Sequence, residues 1–407
     1  MDDSRPEITI DRLGREGDGL SGGIRAAFTL PGERVRGPVA EGRMAPVEIL
    51  APSPERVAPV CRHFGACGGC ALQHGTDAFL AGWKAETIVR ALAARGLAAE
   101  IRPVLISPPR SRRRAVFAGR RTRKGAVVGF HGRRSEDLVA VLECHLVVPA
   151  ILAILPALAV LTRAAASRSG EVRFTVTESP AGLDIDGVGG RRPSGEAVAD
   201  FLGHADAAAV ARLAWEGEPI AQRRPPLQPM GAARVVPPPG AFLQATREGA
   251  AALVAAVHEC LGPARRVADL FAGCGTFALP LAEVAEVHAV EAEPAMLAAL
   301  DAGWRGAPGL RRVTTEVRDL FRRPMLAAEL ARFDGVAFDP PRAGAEAQAQ
   351  ALAASAVPRI AAVSCNPASF ARDATILVAG GYRLDWVQPV DQFRWSGHVE
   401  LAARFSR

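Results

Sequence analysis

Residues 266–294 read RVADLFAGCGTFALPLAEVAEVHAVEAEP, and this stretch decides the fold class. A strand, a glycine-rich turn, the start of a helix and a second strand follow one another, which predicts a parallel sheet with helices on both faces. Gly273 and Gly275 let the backbone approach a nucleotide-like ligand, and Glu291 can accept hydrogen bonds from ribose hydroxyls. The alternative is a tight turn with an exposed carboxylate. Because both glycines and the acid stand at the expected places, we favour a nucleotide site.

Two later strands are each followed by a residue with a reactive side chain, a carboxylate in one case and a thiol in the other. Segment 338–344, FDPPRAG, places Asp339 before two prolines, and segment 363–367, VSCNP, places Cys365 before Asn and Pro. Proline fixes φ and lacks an N–H, so the chain leaves the sheet sharply at both points. Catalytic groups of open α/β sheets lie at this carboxyl edge. A buried structural cysteine is the commonest role for a single Cys, but this position favours a nucleophile.

The remaining pattern predicts three domains, since 407 residues are long for a single core. Residues 1–55 have short strands between glycine-rich turns, which is typical of a small OB-like β-barrel. Residues 56–228 form a mixed α+β segment that ends in a Pro- and Gly-rich stretch. Residues 229–407 carry the alternating pattern and end in two successive apolar segments without a helix between them, which predicts an antiparallel pair at the sheet edge.

The composition argues against membrane and secreted proteins. Apolar residues make up 49% of the chain, but no long run is free of charge. The N-terminus, MDDSRPEITI, has acidic residues where a signal peptide has basic and apolar ones. We therefore expect a cytoplasmic protein.

Seven cysteines are present, and three of them crowd into residues 61–70, CRHFGACGGC. An odd number in a cytosolic chain argues against a disulfide framework and for metal binding or catalysis. Cys61, Cys67 and Cys70 can converge on one centre, and Cys144 can supply a fourth ligand. The alternative is a redox pair of Cys67 and Cys70. We favour a metal or cluster, and the spacing leaves both zinc and iron–sulfur open.

A basic strip lies at residues 110–124, RSRRRAVFAGRRTRK, which hold eight basic residues and no acid. The net charge of the whole chain is only +6, so the excess is concentrated here. One interpretation is a strip that binds nucleic-acid phosphates, with Val116 and Phe117 anchoring a strand between two basic clusters. The other is a solvated arginine-rich face.

Eight segments, taken in order, resemble one known family along nearly the whole chain: LPGERV, CRHFGACGGCALQH, FLQAT, DLFAGCGTF, AVEAEP, FDPPRAG, VSCNPASFARD and HVEL. They resemble the S-adenosylmethionine-dependent RNA uracil-5 methyltransferases that carry an iron–sulfur cluster. The resemblance implies a Rossmann-like methyltransferase domain with a terminal antiparallel hairpin at 229–407. It also implies a TRAM-type OB-like RNA-binding module at 1–55 and a central α+β domain with the cluster and the basic strip at 56–228.

The resemblance further implies roles for individual residues. Cys365 matches the nucleophile and Glu400 the base. The residues that match contacts to S-adenosylmethionine are Gln244, Phe271, Glu291, Asp339 and, as a weaker candidate, Asp319. The ligands implied for a [4Fe-4S] cluster are Cys61, Cys67, Cys70 and Cys144. One departure is that Arg394 and Trp395 stand where the family commonly has Pro and a small polar residue.

The resemblance implies methyl transfer to C5 of a uridine in structured RNA through a covalent bond between Cys365 and C6. A thiol titrates near about 8.5 when unperturbed, so we expect local donors to favour the Cys365 thiolate. We expect a monomer that binds RNA and no membrane. Because the cluster and the N-terminal module resemble the ribosomal branch of the family, 23S rRNA is the expected substrate. The alternatives are transfer RNA as substrate, a cytosine-5 methyltransferase, and a non-catalytic RNA-binding iron–sulfur protein.

Overall fold

The computed structural model describes residues 5–205 and 209–407, which form a small N-terminal β module, a central α+β body and a large α/β sheet. Residues 1–4 of the first predicted module lie outside the described residues. None of the helices in the described ranges combines the length and the apolar character that crossing a lipid bilayer requires.

The N-terminal module consists of short strands between glycine turns, as predicted. The strands are β1 (Glu7–Thr9), β2 (Arg12–Leu13), β3 (Gly19–Ser21), β4 (Ile24–Ala26), β5 (Arg34–Arg36), β6 (Val39–Ala40), β7 (Arg43–Met44) and β8 (Glu48–Ala51). They pair as two sheets, β1-β5-β8 and β2-β3-β4-β7-β6, around a core that includes Ile10, Val35 and Met44. Among the described strands the ring is not closed, which corrects the expected barrel to two small sheets packed together.

A helix and two short strands follow, and they join the C-terminal sheet although they fall inside the predicted central segment. They are α1 (Asp77–Ala93), β9 (Glu100–Ile101) and β10 (Leu105–Ile106). The helix begins where the Thr76 side chain accepts a hydrogen bond from the Phe79 N–H, and it ends shortly before Gly96, whose φ is +70°. The three-domain division remains a prediction. This segment belongs by sequence to the predicted central domain but pairs with a strand of the predicted C-terminal domain.

The central body is a seven-stranded sheet covered by helices. Its strands are β11 (Arg114–Arg121), β12 (Ala126–His131), β13 (Leu138–Ala140), β14 (Glu171–Ser179), β15 (Gly182–Val188), β16 (Val210–Trp215) and β17 (Glu218–Gln222), in the order β13-β12-β11-β14-β15-β16-β17. The helices are α2 (Pro149–Ala153), α3 (Leu155–Ala165) and α4 (Gly195–His204). Phe117, Phe174 and Leu158 are fully buried between the sheet and these helices, so this body has its own core.

The C-terminal part has the alternation that the sequence predicts. Its strands are β18 (Gln228–Met230), β19 (Ala233–Val235), β20 (Arg266–Leu270), β21 (Glu286–Glu291), β22 (Val313–Val317), β23 (Gly335–Phe338), β24 (Arg359–Ser364), β25 (Arg383–Asp391) and β26 (Glu400–Ser406). Its helices are α5 (Arg247–Leu261), α6 (Ala278–Leu281), α7 (Pro294–Arg305), α8 (Ala327–Leu330), α9 (Glu346–Ala353) and α10 (Pro367–Ala379).

The large sheet is parallel on one side and antiparallel on the other. Its order is β10-β25-β26-β24-β23-β20-β21-β22, and β26 runs antiparallel to both β24 and β25. One apolar core lies under α5, α6 and α7, and the other lies under α1, α9 and α10, which confirms helices on both faces. The final hairpin is present, but β9 and β10 pair with β25, so the expectation that the hairpin forms the sheet edge is wrong.

A buried ion pair attaches α1 to the end of β25. The Lys84 Nζ lies 2.6 Å from an oxygen of Asp391 and also donates to the Phe393 carbonyl at 3.1 Å. Lys84 is 1% exposed and Asp391 4% exposed. Burial lowers the pKa of Lys84, and Asp391 opposes that shift. The pair therefore fixes the point where β25 ends and the loop of residues 392–399 begins.

We expect Lys84→Met to lower the free energy of unfolding by about 3–5 kcal/mol, because the Asp391 carboxylate then stays buried without its partner. Urea unfolding measures this loss. Adding Asp391→Asn should recover part of it, since the orphaned charge is removed. Arg90→Gln is the matched control, because Arg90 pairs with Glu86 on the exposed face of the same helix, and it should cost only about 0.3–0.5 kcal/mol. Equal losses for Lys84→Met and Arg90→Gln would contradict the assignment.

Candidate functional site

The carboxyl edge of the large sheet brings Cys365 and Glu400 together. Ser364, the last residue of β24, pairs with Leu401 of the antiparallel strand β26. The next facing positions are Cys365 and Glu400, and facing residues of an antiparallel pair have Cβ atoms about 5 Å apart. Asp339 follows β23, the other neighbour of β24, and its N–H bonds the Leu270 carbonyl at 3.2 Å. A thiol and two carboxyl groups thus share one corner of the sheet.

The pKa values of all three groups are raised above their ordinary values. Burial, together with Asp339, raises the pKa of Glu400 to about 8, and a hydrogen bond from Gln392 opposes the shift. Burial raises the pKa of Asp339 to about 7. Burial, then Glu400 and Asp339, raise the pKa of Cys365 to about 11, against the effect of Arg342. The expectation that local donors favour the Cys365 thiolate is therefore wrong for the free protein, because burial and then two nearby carboxyl groups raise the pKa of the thiol more than Arg342 lowers it.

Gln392 connects Glu400 to Gln244. Its side-chain N–H donates to the Gln244 side-chain oxygen, and its own side-chain oxygen accepts from the Thr246 N–H at 3.4 Å. Gln244 is 3% and Gln392 2% exposed. The Arg113 guanidinium donates to the Gln244 carbonyl at 3.1 Å. The predicted contact residue Gln244 therefore lies in a buried amide network that also reaches Glu400.

A second group of predicted residues forms a cradle at the ends of β20 and β21. The Gly273 N–H donates to a Glu291 oxygen at 3.0 Å, and the Ala292 N–H donates to the other oxygen at 2.7 Å. Gly273 has φ +55°, and a Cβ there would meet nothing closer than 3.7 Å, so the turn is open. Gly275 has φ +100° and packs tightly on Leu279, where a side chain would clash. The carboxylate is thus held at the mouth of an open glycine turn.

An aromatic surface borders this cradle. Phe271 has φ +65°, and its ring lies 5.5 Å from the ring of Phe321, which is 49% exposed. Asp319 accepts a hydrogen bond from the Phe321 N–H at 2.9 Å, so its carboxylate stands beside the rings. A flat purine can lie on such rings while a carboxylate takes its edge donors. Phe271, Glu291 and Asp319 therefore fit an adenosine moiety, and the chain contributes Phe321 as well.

Asp269 is a buried carboxyl group between the two groups of residues. It is fully buried, and neither oxygen accepts a well-formed hydrogen bond from the described residues. Burial, then Asp339 and Glu291, raise the pKa of Asp269 well above its usual value. The site therefore concentrates acidic groups where a cationic ligand can meet them. S-adenosylmethionine, with its sulfonium charge, fits this donor set.

The four predicted cluster ligands lie near one another in a separate place. Cys61, Cys67, Cys70 and Cys144 are free, partly buried thiols. Burial raises the pKa of Cys70 to about 12, and the other three cysteines add to the shift, so all four lie within electrostatic reach. No group of three or more Cys, His, Asp or Glu side chains within residues 5–205 and 209–407 is arranged to hold a single metal ion.

Two of these sulfurs already accept backbone hydrogen bonds. The Gly69 N–H donates to the Cys67 sulfur and the Leu146 N–H to the Cys144 sulfur, both at 3.4 Å. Each cysteine of a four-iron cluster binds a different iron, so its sulfurs stand farther apart than the ligands of one zinc ion. N–H donors to sulfur are among the contacts that tune such clusters. Four thiols with N–H donors at two of the sulfurs are the residue types that a cluster requires.

The cysteine segment, residues 61–74, is bonded to the loop that precedes Glu400. The N–H groups of Ala71 and Leu72 both donate to the Trp395 carbonyl, at 2.9 and 3.0 Å. The Trp395 side chain lies in a small junction core that joins the N-terminal module, the cysteine segment and α1, and the members of this core are Leu13, Leu30, Leu72, Leu80, Trp83 and Trp395. Arg394 pairs with Asp77 at the start of α1. Both departures from the family pattern are therefore structural contacts of the 392–399 loop.

The first cluster of the basic strip is only partly accessible, because Arg113 is buried and Arg112 and Arg114 are half-buried, while Arg110 is exposed. Arg113 donates to the Gln244 carbonyl, and Arg114 donates to the carbonyls of Ala241 and Gly240. Burial lowers the pKa of both arginines and of Arg112. These groups attach the central body to the C-terminal domain, while the residues at the β11–β12 turn stay exposed.

Sequence reasoning missed Gln392, Phe321, Arg15 and Arg342 as site residues. Arg342 lies three residues after Asp339 and acts on Cys365. Arg15, from the N-terminal module, donates to the Asn366 side-chain oxygen at 2.7 Å, one residue after the thiol. A polar residue directly after a strand is a signal that could have found Gln392, but no local pattern connects Arg15 with Asn366.

The chain is similar to RNA methyltransferases. Residues 305–407 match the family described as tRNA (Uracil-5-)-methyltransferase. An uncharacterized RNA methyltransferase of Brucella suis biovar 1 is 46% identical over 401 residues, which cover 98% of this chain and 97% of the relative. A 23S rRNA (uracil(1939)-C(5))-methyltransferase of Chromohalobacter salexigens is 34% identical, with 98% of this chain and 89% of the relative covered.

A solved structure shares the fold over the whole chain. It is the tRNA (uracil-54, C5)-methyltransferase of Pyrococcus abyssi in complex with S-adenosyl-L-homocysteine, with a TM-score of 0.79. The two proteins are 21% identical, and the match covers 98% of this chain and 99% of that one. The N-terminal module, the central body and the large sheet thus occur together in another protein.

We expect the thermal unfolding midpoint of the free protein to fall as the pH rises from about 5 to about 8. The pKa of Glu400 is raised from 4.5 to about 8 on folding. The stabilisation that Glu400 gives the folded protein is therefore complete below pH 4.5 and is lost as the pH rises to about 8. Glu400→Gln keeps the group neutral and should flatten this dependence. Glu136→Gln, at a 96% exposed side chain, is the control for lost charge. A difference between wild type and Glu400→Gln that is constant over this pH range would contradict the assignment.

Proposed function

Since the chain belongs to the S-adenosylmethionine-dependent RNA uracil-5 methyltransferases, we propose that it methylates C5 of a uridine in 23S rRNA through a covalent bond between Cys365 and C6. The observation that carries this proposal is the register of β24 and β26, which sets Cys365 opposite Glu400. Asp339 lies at the same corner. The reaction needs a nucleophile for C6 and a group that removes the proton from C5 of the uracil ring, and these residue types and positions suit both tasks.

The proposed chemistry starts from the weak nucleophilicity of C5. The Cys365 thiol first loses its proton to solvent, and addition of the resulting thiolate to C6 leaves an enolate, whose C5 can attack an electrophilic carbon. S-adenosylmethionine supplies that carbon as its sulfonium methyl group. C5 then carries both the methyl group and its original proton. Glu400 removes the proton, the bond between sulfur and C6 breaks, and the aromatic ring is restored.

The raised pKa values suit these roles. A carboxyl group with a pKa of about 8 is a stronger base than an ordinary glutamate, which favours Glu400 as the group that takes a proton from carbon. Arg342 is the cationic side chain that acts on Cys365 in favour of the thiolate. The nucleophile therefore depends on nearby positive charge.

The 34% identity to the ribosomal enzyme supports 23S rRNA as the substrate. The Pyrococcus abyssi tRNA enzyme has the same overall fold, so transfer RNA is the competing substrate. A uridine must leave its base stack to expose C5 and C6, which costs a few kcal/mol and least in a loop. We accordingly propose an accessible loop as the target, and a cytoplasmic monomer as the active form.

We also propose that Cys61, Cys67, Cys70 and Cys144 hold a [4Fe-4S] cluster. The mutual influence of the four thiols and the N–H donors at two sulfurs support this assignment. The cluster has no part in methyl transfer in this proposal. Its proposed role is to order the cysteine segment, which bonds the Trp395 carbonyl.

We expect the wild type to transfer labelled methyl groups to RNA that lacks the modification, with all label recovered in 5-methyluridine after digestion. Cys365→Ala should reduce transfer to background, because no other group forms the bond to C6. Fractionation of the RNA then identifies the substrate. Label in 5-methylcytidine would assign a cytosine enzyme, and RNA binding without transfer would assign a non-catalytic protein.

We expect Glu400→Gln to accumulate a covalent complex with RNA, because the methylated adduct cannot lose its C5 proton. Denaturing electrophoresis of enzyme mixed with labelled RNA detects the complex. The double variant Cys365→Ala/Glu400→Gln is the control and should give free RNA alone. Free RNA with the single variant would contradict the role of Glu400.

We expect anaerobically purified protein to contain iron and acid-labile sulfide in equal amounts, with visible absorbance. Cys67→Ser and Cys144→Ser should lose both elements, since each removes one ligand. Cys260→Ala is the matched control, because that thiol is buried against the core of α5 and should leave the iron content unchanged. Zinc in place of iron, or iron that survives Cys67→Ser, would refute the cluster.

A further inference from the structure

A cleft of about 440 Å³ opens between the N-terminal module, the cysteine segment, the turn after β12 and the 392–399 loop. Its lining includes Arg15, Arg133, Arg134, Arg342, Gly397 and His398. The N-terminal module packs closely here, since a Cβ on Gly397 would overlap the carbonyl oxygen of Arg15. The cleft is therefore built by segments that are distant in sequence.

Two of its arginines carry uncompensated charge. Asp18 pairs with both Arg133 and Arg134, and Glu16 pairs with Arg134, so these two are neutralised. Arg15 and Arg342 are exposed, and neither forms an ion pair with a carboxylate in the part of the chain that the structure describes. Guanidinium groups in this state are typical of sites that bind phosphate.

The potential around His398 is positive as well. The charged groups that act on its ring are Arg342, Lys84, Arg15 and Arg112, and after burial each of them lowers the pKa of His398. The nearby Glu16 is already bound by Arg134. Among the groups that act on His398 there is no acid, so the positive charge of Arg15 and Arg342 is not offset there.

Both free arginines lie beside the nucleophile. Arg15 donates to the Asn366 side-chain oxygen at 2.7 Å, and Asn366 directly follows Cys365. The Asn366 side-chain N–H donates to the Arg342 carbonyl at 3.0 Å. Asn366 thus connects the two arginines, and a nucleotide whose base reaches Cys365 must place its backbone near them.

We propose that Arg15 and Arg342 bind the phosphodiester backbone next to the target uridine, so that the N-terminal module completes the substrate site. This inference rests on the proposed function, because it takes RNA as the ligand. Uracil itself is neutral, so the electrostatic part of the affinity has to come from phosphates. The exposed residues of the basic strip lie at the far end of β12, about 20 Å away at about 3.3 Å per residue.

The test is the binding of a short fluorescent oligouridylate as a function of salt concentration. Arg15→Gln and Arg342→Gln should each weaken binding by about tenfold at low salt and reduce the salt slope by about 1. Arg15→Lys keeps the charge and should retain most of the affinity. Arg123→Gln, at the exposed β11–β12 turn, is the matched control and should bind like the wild type.

A second probe separates phosphate binding from other roles. An oligouridylate with uncharged methylphosphonate linkages should bind the wild type weakly, and Arg15→Gln should bind this neutral probe as the wild type does. Unchanged binding of the charged probe by both variants would overturn the proposal, and so would a loss of affinity with an unaltered salt slope.

Measurements of methyl transfer and of S-adenosylmethionine binding distinguish a failure of this inference from a failure of the proposed function. Both variants should bind S-adenosylmethionine like the wild type, because the cradle at Glu291 is elsewhere. Salt-dependent binding through Arg15 and Arg342 without transfer of label by the wild type would overturn the reaction and support the cleft. Transfer with wild-type affinity in both variants would support the reaction and overturn the cleft.

Discussion

The position of Trp395 is the constraint on which the rest of the site depends. Its side chain lies in the junction core with residues of the N-terminal module, the cysteine segment and α1, and its carbonyl accepts two backbone hydrogen bonds. The buried pair of Lys84 and Asp391 holds the start of the same loop. Glu400 follows that loop directly, so separate parts of the chain together determine where the base stands.

Carboxyl groups and arginines lie on different sides of Cys365. On one side lie Asp269, Asp339 and Glu400, and removal from water raises the pKa of each, with neighbouring acids adding to the shift for Asp269 and Glu400. On the other side Arg15 and Arg342 face the cleft. Under the proposed function, the carboxyl groups suit a sulfonium ligand and the arginines suit a phosphate, so the two proposed ligands would reach Cys365 from different directions.

The number of arginines in a sequence segment does not predict where their side chains lie in the folded protein. The strip at 110–124 concentrates eight basic residues, yet Arg113 is buried and Arg112 and Arg114 are half-buried. The guanidinium groups of Arg113 and Arg114 donate to backbone carbonyls within residues 240–244, which a charge count cannot reveal. Arg15 stands next to a glutamate and an isolated Gly in sequence, and it reaches Asn366 only because the N-terminal module packs on the C-terminal domain.

The sequence by itself determined the α/β alternation, the glycine turn before Glu291, and the sharp exits after Asp339 and Cys365. These features depend on local backbone chemistry, since glycine permits positive φ and proline ends a strand. Only the tertiary structure decided that Glu400 faces Cys365, because strand register and order are set by packing of the whole sheet. It also decided the protonation of that pair, since burial raises both pKa values and burial is a property of the folded chain alone.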